Sequence, residues 1–175
     1  EAKLLQAPHF DPNFHFHPEY QLFVVLKGTG TRFIGDHVSP FRNGDLVFTG
    51  PNLPHVWRSD MEYFEGNDQY LTEGVVIYFH ENFLGGSVLH KAEMYRIKQV
   101  LAKARRGMEI TGQTADMVKV MMEELLQTKD FDSILGLLKI LNMLSHTSHY
   151  QLLASAGYIN SLKESDTERM NSVHA

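Results

Sequence analysis

The stretch that decides the fold covers residues 14–57. It begins with His15-Phe16-His17-Pro18-Glu19-Tyr20-Gln21 and ends with Pro54-His55-Val56-Trp57. On a β-strand, residues two apart point to the same face, so we expect His15 and His17 to project side by side. Gln21 shares that face if the strand continues. A neighbouring strand carrying His55 would then bring three imidazoles and an amide to one cavity.

The sequence around this stretch alternates between apolar and polar residues as far as about residue 86. It predicts short strands over residues 21–26, 31–34, 45–48, 54–58 and 74–79. Gly, Asn and Asp supply the turns between them, because they tolerate positive φ or bond back to the backbone. Strands at this spacing are typical of an antiparallel barrel or jelly roll.

The hydrophobic period becomes helical after residue 86. The segment 131–145 carries an apolar stripe of roughly 160°, wider than a one-sided surface helix needs, so we expect two packing partners. A surplus of exposed apolar surface would mark an association site, which predicts a homodimer with this helix at or directly behind the interface. The alternative is that the barrel covers one side of this helix and the two preceding helices cover the other, which leaves no surface for a second subunit. Ile140 and Leu144 are taken as its outward positions. Ser165-Asp166-Thr167-Glu168 resembles a capping box and predicts the start of a further helix there.

Composition excludes several classes of protein. The formal charge is −5, so we expect no specific binding of this chain alone to duplex DNA. There is no Cys, so a metal would need nitrogen and oxygen ligands. No apolar run reaches the roughly 18 residues of a membrane span, and no charged-then-apolar leader is present. These features predict a cytoplasmic protein without a membrane partner.

The order of these motifs resembles the N-terminal sensor domain of AraC-family transcriptional regulators. The matching segments lie within residues 15–57 and include Gly30-Thr31-Arg32-Phe33-Ile34-Gly35-Asp36 and Asn43-Gly44-Asp45-Leu46-Val47. Residues 131–145 with Leu152-Leu153-Ala154-Ser155 are similar to that family's helical tail, and Arg169-Met170-Asn171 to the opening of its helix-turn-helix domain. The resemblance implies a mainly β cupin or jelly-roll barrel followed by C-terminal helices. It divides the chain into a sensor barrel (1–86), a helical dimerisation region (87–164) and the start of a truncated helix-turn-helix domain (165–175).

Two interpretations of the histidines stay open. In metal-binding cupins, two His and an acid in the first motif and a His in the second hold the ion. His15, His17 and His55 match that set and would take zinc, nickel or iron, but Gln21 stands at the acidic position. A neutral amide is a weak fourth donor, so we expect weak metal binding at most. The alternative is that these His form hydrogen bonds in a ligand pocket or core. Trp57 shares parity with His55 and would either stack on a sugar or aromatic ligand or pack in the core.

These features predict the ligand-sensing and dimerising part of an AraC-type regulator, not an enzyme. Its ligand site would comprise His15, His17, Gln21, His55 and Trp57. A small-molecule effector, a sugar being one candidate, would enter the barrel and shift the helices, and DNA would be contacted only through the missing C-terminal domain. The alternative is a metal-dependent cupin enzyme acting on a small polar substrate.

Overall fold

A computed structural model describes the backbone of residues 1–174 and the side chains of residues 1–165. The strands are β1 Ala2–Ala7, β2 Tyr20–Lys27, β3 Gly30–Ile34, β4 His37–Phe41, β5 Leu46–Thr49, β6 His55–Ser59, β7 Thr72–Phe79, β8 Met108–Ile110 and β9 Tyr150–Leu152. The α-helices are α1 Tyr95–Ala104, α2 Gly112–Leu125, α3 Asp130–His146 and α4 Ala156–His174. Single 3₁₀ turns occupy Met61–Phe64, Val88–His90 and Ala92–Met94. The predicted mainly β fold with a helical appendage is confirmed.

The strands form two antiparallel sheets. The larger sheet has the order β1-β7-β2-β5-β8-β9, and the smaller one has the order β4-β3-β6. Strand β2 is buried on both faces because Leu22 and Val24 pack towards the helices, whereas Phe23 and Val25 pack into the space between the sheets. The second core contains Phe23 of the larger sheet and Trp57 of the smaller one, so the two sheets enclose a common interior.

The helices cover the outer face of the larger sheet. Helix α3 packs against both α1 and α2, as its wide apolar stripe predicts. Ile140 and Leu144 are 0% and 1% exposed and belong to the core between helices and sheet. Their assignment as outward positions is therefore wrong, and charged substitutions there would test the core instead of a subunit interface. The exposed apolar residues of α3 are Phe131 and Ile134, near its N-terminus.

Two short strands come from the segment whose hydrophobic period predicts helices. Strand β8 pairs with β5, and β9 pairs with β8, which extends the larger sheet beneath the helices. Each has three residues, which is too short for a period-2 pattern to be recognised in the sequence. The barrel and the helical region therefore share one sheet.

The last helix begins earlier than its sequence predicts. Helix α4 is continuous over Ala156–His174, so Ser165 lies inside it, and the predicted helix start there is wrong. The side chains of residues 166–175 lie outside the described part of the chain, including Arg169, Met170 and Asn171, on which the helix-turn-helix prediction depends. Across the described residues, no helix is both long and apolar enough to cross a membrane.

Candidate functional site

The three predicted histidines lie close together, but not because they share one face of a β-strand. His15 and His17 precede β2, and Pro18 and Glu19 form a bend between them and that strand. Their expected place on a β-strand is therefore wrong. Instead, His15 forms an isolated antiparallel bridge with His55 at the start of β6, with backbone N···O distances of 3.2 and 2.9 Å. This pairing places the first motif directly beside the second.

The imidazole rings form a compact cluster. One ring nitrogen from each of His15, His17 and His55 lies within 4.8 Å of the other two. The ring centroid of His55 is 4.7 Å from that of His15 and 5.0 Å from that of His17. We call these three residues the imidazole cluster.

Backbone carbonyls orient two of these rings. The Nδ1 atoms of His55 and His15 lie 2.7 Å from the Leu53 carbonyl oxygen and 2.6 Å from that of Asn13. Since a carbonyl only accepts, Nδ1 carries a proton in both rings, and Nε2 presents a lone pair wherever the ring is neutral. The Nε2 atom of His55 is buried and has no hydrogen-bond partner among the described residues. Burial lowers the pKa of His55 from 6.5 to about 4, so the ring is neutral near neutral pH.

The third ring, that of His17, contacts the side chain of Gln21. The Nδ1 atom of His17 lies 3.2 Å from the Glu19 carbonyl oxygen and 3.3 Å from its carboxylate, so it also carries a proton. Its Nε2 atom faces the side-chain amide of Gln21, placed with Oε1 at 3.1 Å. If His17 is neutral, that amide must turn to present its NH₂ group, because two acceptors do not bond. Gln21 then caps the lone pair that a metal would use.

Two members of the imidazole cluster, His15 and His55, line a cavity between the sheets. The cavity has a volume of about 240 Å³ and is lined by Leu5, Phe10, Asp11, His15, Gln21, Phe23, His55, Trp57, Val76 and Tyr78. Four of the five predicted site residues thus lie on it. His17 does not line the cavity and instead contacts Gln21 and the ring of Tyr78. No sequence pattern predicts that Phe10, Asp11 and Tyr78 belong to the cavity. Tyr78 reaches it through the pairing of β7 with β2, and Phe10 and Asp11 lie in the segment that follows β1.

Trp57 is a core residue that also borders the cavity, so its stacking on a ligand stays a prediction. It is 4% exposed and packs edge-on against Phe23, with ring centroids 4.7 Å apart, yet it also lines the cavity. Its Nε1 atom donates to Asp45 Oδ2 at 2.9 Å. The indole therefore offers the cavity an apolar surface, and its only donor is already used.

The donor set fits a divalent metal in part. His15, His17 and His55 would hold the ion, and Nε2 of His55 is suited to this role because none of the side chains in residues 1–165 bonds to it. Such an ion would supply Lewis-acid chemistry towards an oxygen-bearing ligand. Gln21 disfavours metal binding for two reasons. Its amide is a neutral ligand, and it faces the Nε2 atom with which His17 would bind the metal.

Comparisons with known proteins agree with this architecture. Residues 4–63 match the family described as Cupin domain, so the N-terminal part of the chain carries a cupin domain. The fold is similar to that of the AraC-like transcriptional activator CuxR, at 12% identity and a TM-score of 0.51, over 80% of this chain and 45% of that chain. ToxT from Vibrio cholerae aligns at 8% identity and a TM-score of 0.49, over 84% of this chain and 58% of that chain. No curated protein matches the chain. The chain spans less than half the length of CuxR.

Proposed function

We propose that this cupin-domain chain is the ligand-sensing and dimerisation part of an AraC-type transcriptional regulator. An effector would bind in the cavity beside the imidazole cluster, and a separate domain would contact DNA, which places the protein in the cytoplasm. The proposal is supported by a barrel with an internal cavity whose larger sheet is covered by a helical layer. A sensor of this kind needs a physical link between its cavity and the helices.

A chain of polar contacts that is buried except at the half-buried Glu109 would supply that link, and it is the observation that carries the proposal. The Trp57 indole donates to Asp45, and Arg32 Nε lies 3.2 Å from the same carboxylate. Arg32 Nη2 lies 3.2 Å from Glu109 Oε1 on β8, the strand between α1 and α2. A ligand pressed against Trp57 would therefore act on the strand to which both helices are attached. It shifts the helices only if it binds their two arrangements with different affinity.

The segment before the imidazole cluster provides a second contact with the ligand. Phe10 lines the cavity, and the neighbouring His9 stacks on Phe64 with ring centroids 4.1 Å apart. Phe64 belongs to the 3₁₀ turn that follows β6. A ligand that displaces Phe10 would thus change the contact between the N-terminal arm and this loop.

We place the dimer interface on the groove between α2 and α3. Met117 and Val120 on α2 are 47% and 53% exposed, and the half-buried Met121 and Met143 line the groove beside them. The exposed Lys139 of α3 also lines this groove. A second copy of the chain related by a twofold axis would cover the apolar residues, with α3 at or directly behind the contact.

Val120→Glu is expected to weaken self-association at least about tenfold, since burying an unpaired charge costs more than about 1.4 kcal/mol. Val120 is exposed, so the folded chain should tolerate the change. Sedimentation equilibrium of the chain measures the effect. Val38→Glu is the matched control, because Val38 is 58% exposed on β4, in the other sheet.

The same variants test the proposed function in a chimera. The chain is joined to the DNA-binding domain of an AraC-like regulator, and reporter expression is measured from paired half-sites. We expect the chimera to act more strongly than the DNA-binding domain alone, and Val120→Glu, but not Val38→Glu, to remove the gain. A chimera no more active than the isolated DNA-binding domain would contradict the proposal.

A metal-dependent cupin enzyme is the second candidate, favoured by the partnerless Nε2 of His55 within the imidazole cluster. Gln21→Glu should raise zinc affinity on the order of tenfold, because it adds a ligand charge and removes the amide that faces His17 Nε2. Calorimetric titration at neutral pH measures this, with the exposed Gln127→Glu as control. Tight stoichiometric zinc in the unchanged chain, with no gain in Gln21→Glu, would favour the enzyme and contradict our argument from ligand charge.

A further inference from the structure

The helices of this chain pack into two different cores. Helices α1, α2 and α3 bury their apolar residues between the helical layer and the larger sheet. The start of α4 packs instead against the core between the two sheets, through Tyr158 and Ile159. Phe23 and Trp57, which line the cavity, belong to that same core. Helix α4 therefore shares a core with the wall of the cavity.

The segment that leads into α4 is held by the connection between α1 and β8. The N–H group of Leu153 donates to the Gly107 carbonyl at 2.9 Å. Ala154 and Arg106 are bonded in both directions. The N–H group of Ala154 donates to the Arg106 carbonyl at 2.7 Å, and Arg106 Nε donates to the Ala154 carbonyl at 2.9 Å. The helix therefore begins at a fixed position on the barrel.

A carboxylate of the smaller sheet holds the first turn of α4. Asp36 lies in the turn between β3 and β4, and its Oδ1 and Oδ2 atoms accept from the N–H group and the hydroxyl of Ser155 at 2.9 and 2.5 Å. Ser155 Oγ in turn accepts from the N–H group of Tyr158 at 3.1 Å, which is the bond of a helix N-cap. The hydrogen bonds from Ser155 lower the pKa of Asp36, as expected where the ionised carboxylate accepts them. The helix dipole also favours a negative charge at this end of α4.

The same turn leaves room for an aromatic ring of α4. Gly35 has a φ of +58°, and a Cβ atom added to it would lie 2.9 Å from Tyr158 Cε1 and 3.0 Å from Ala154 Cβ. These distances leave no space for a side chain, so glycine allows the Tyr158 ring to rest on the backbone of the turn.

This turn is joined to the wall of the cavity. The N–H group of Gly35 donates to the Pro54 carbonyl at 2.8 Å, and the preceding Ile34 pairs with His55. Because His55 lines the cavity, the paired strands β3 and β6 connect the cavity with the turn that holds α4. A ligand that moves β6 would therefore act on the start of α4.

We propose that Asp36 is the positioning residue that docks α4 on the barrel, so that the smaller sheet sets the direction of α4 and loss of the contact between Asp36 and Ser155 releases the helix. The use of this docking as an output rests on the proposed ligand-sensing function. Asp36 is exposed, so its bonds hold α4 with a modest free energy. A ligand that prefers one of the two arrangements can then shift the balance between them.

Asp36→Ala tests the docking by NMR on the full chain. In the unchanged chain the Tyr158 ring should show nuclear Overhauser effects to the α-protons of Gly35, and the Tyr158 amide should exchange slowly with solvent. Asp36→Ala should weaken the Overhauser effects and accelerate that exchange about fivefold, the usual effect of losing a helix cap. Asp36→Asn should lie between the two, because its amide oxygen still accepts from Ser155 but carries no charge.

Controls separate release of α4 from loss of stability. Asp68→Ala removes an exposed carboxylate from another loop and should leave the Tyr158 signals unchanged. Amide exchange at Val24 in β2 should be the same in all variants, because the barrel stays folded. If Asp36→Ala does not fold, Asp36→Asn decides the question by the same criteria.

Two results would overturn the inference. The first is an unchanged Tyr158 exchange rate in Asp36→Ala with the Overhauser effects to Gly35 intact. The second is an equal acceleration at Tyr158 and Val24, which would show a general loss of stability. Val120→Glu should give the Tyr158 signals of the unchanged chain, because the groove between α2 and α3 adjoins the other core. A failed dimer or reporter assay would therefore leave this measurement unaffected, so failure of this inference is distinguishable from failure of the proposed function.

Discussion

Replacing Arg32 with Ala is expected to lower the free energy of unfolding by about 3 to 5 kcal/mol, the cost of leaving a buried charge without its partner. Arg32 is 2% exposed, and the Asp45 side chain that it contacts is 6% exposed. Burial raises the pKa of Asp45, while the Arg32 guanidinium acts in the opposite direction. Without Arg32, the Asp45 carboxylate must either remain charged in an apolar interior or take up a proton. Urea unfolding of the chain measures the loss.

Two variants separate this effect from the simple loss of an arginine. Arg58→Ala removes an exposed guanidinium from β6, where it lies 5.1 Å above the Phe33 ring, and should change stability by less than about 1 kcal/mol. Adding Asp45→Asn to Arg32→Ala should recover part of the loss, because the amide oxygen still accepts from Trp57 Nε1 but carries no charge. Equal losses of unfolding free energy in Arg32→Ala and Arg58→Ala would show that the buried ion pair contributes no more to stability than an exposed guanidinium does.

Acidification is expected to destabilise the chain through His55. The pKa of His55 is about 4 in the folded protein, against 6.5 for the unperturbed group. Between these values the unfolded chain binds the proton and the folded chain does not, so stability falls as pH falls from 6.5 towards 4. At about 1.4 kcal/mol for each pH unit, the loss reaches about 3.5 kcal/mol. Below about pH 4 the contribution of His55 is fully lost.

The measurement compares unfolding free energies across this pH range, with a chelator present so that no metal holds the imidazoles. His55→Asn keeps a side-chain NH group for the Leu53 carbonyl and does not titrate. The slope of its unfolding free energy against pH should therefore be smaller than that of the unchanged chain, by an amount equal to the uptake of up to one proton. His90→Asn replaces an exposed histidine, so the pH profile of its unfolding free energy should run parallel to that of the unchanged chain. If the His55→Asn profile also runs parallel to that of the unchanged chain, His55 is not the group responsible.

The sequence alone predicts most of the β-structure. Period-2 alternation and turn residues mark β2, β3, β5, β6 and β7 to within two residues. Strands β1 and β4 have no such signal. In β1 the burial does not follow a simple alternation, and β4 contains Pro40 at the edge of its sheet. These strands form because β7 and β3 offer free edges at the right place.

The helical part shows a different limit. The width of the apolar stripe on α3 correctly predicts two packing partners, but it does not say which side a subunit would cover. Ile140 and Leu144 are buried because α3 lies between its neighbours and the larger sheet. Hydrophobic periodicity measures how much surface must be covered, whereas only the packing shows what covers it.

By itself, the sequence determined a mainly β fold followed by helices, because strand alternation, turn chemistry and helical periodicity are local properties. It also predicted that His15, His17, Gln21 and His55 lie close together, but the strand parity from which this was argued is not what joins them. Only the tertiary structure decided how those groups work. The bridge between His15 and His55 brings together residues 40 positions apart. Burial between two sheets leaves His55 neutral, with an Nε2 atom that finds no hydrogen-bond partner within the described part of the chain. The pairing of β3 with β6 also sets Arg32 beside Trp57. Burial and charge pairing depend on the register of distant segments, which no local pattern encodes.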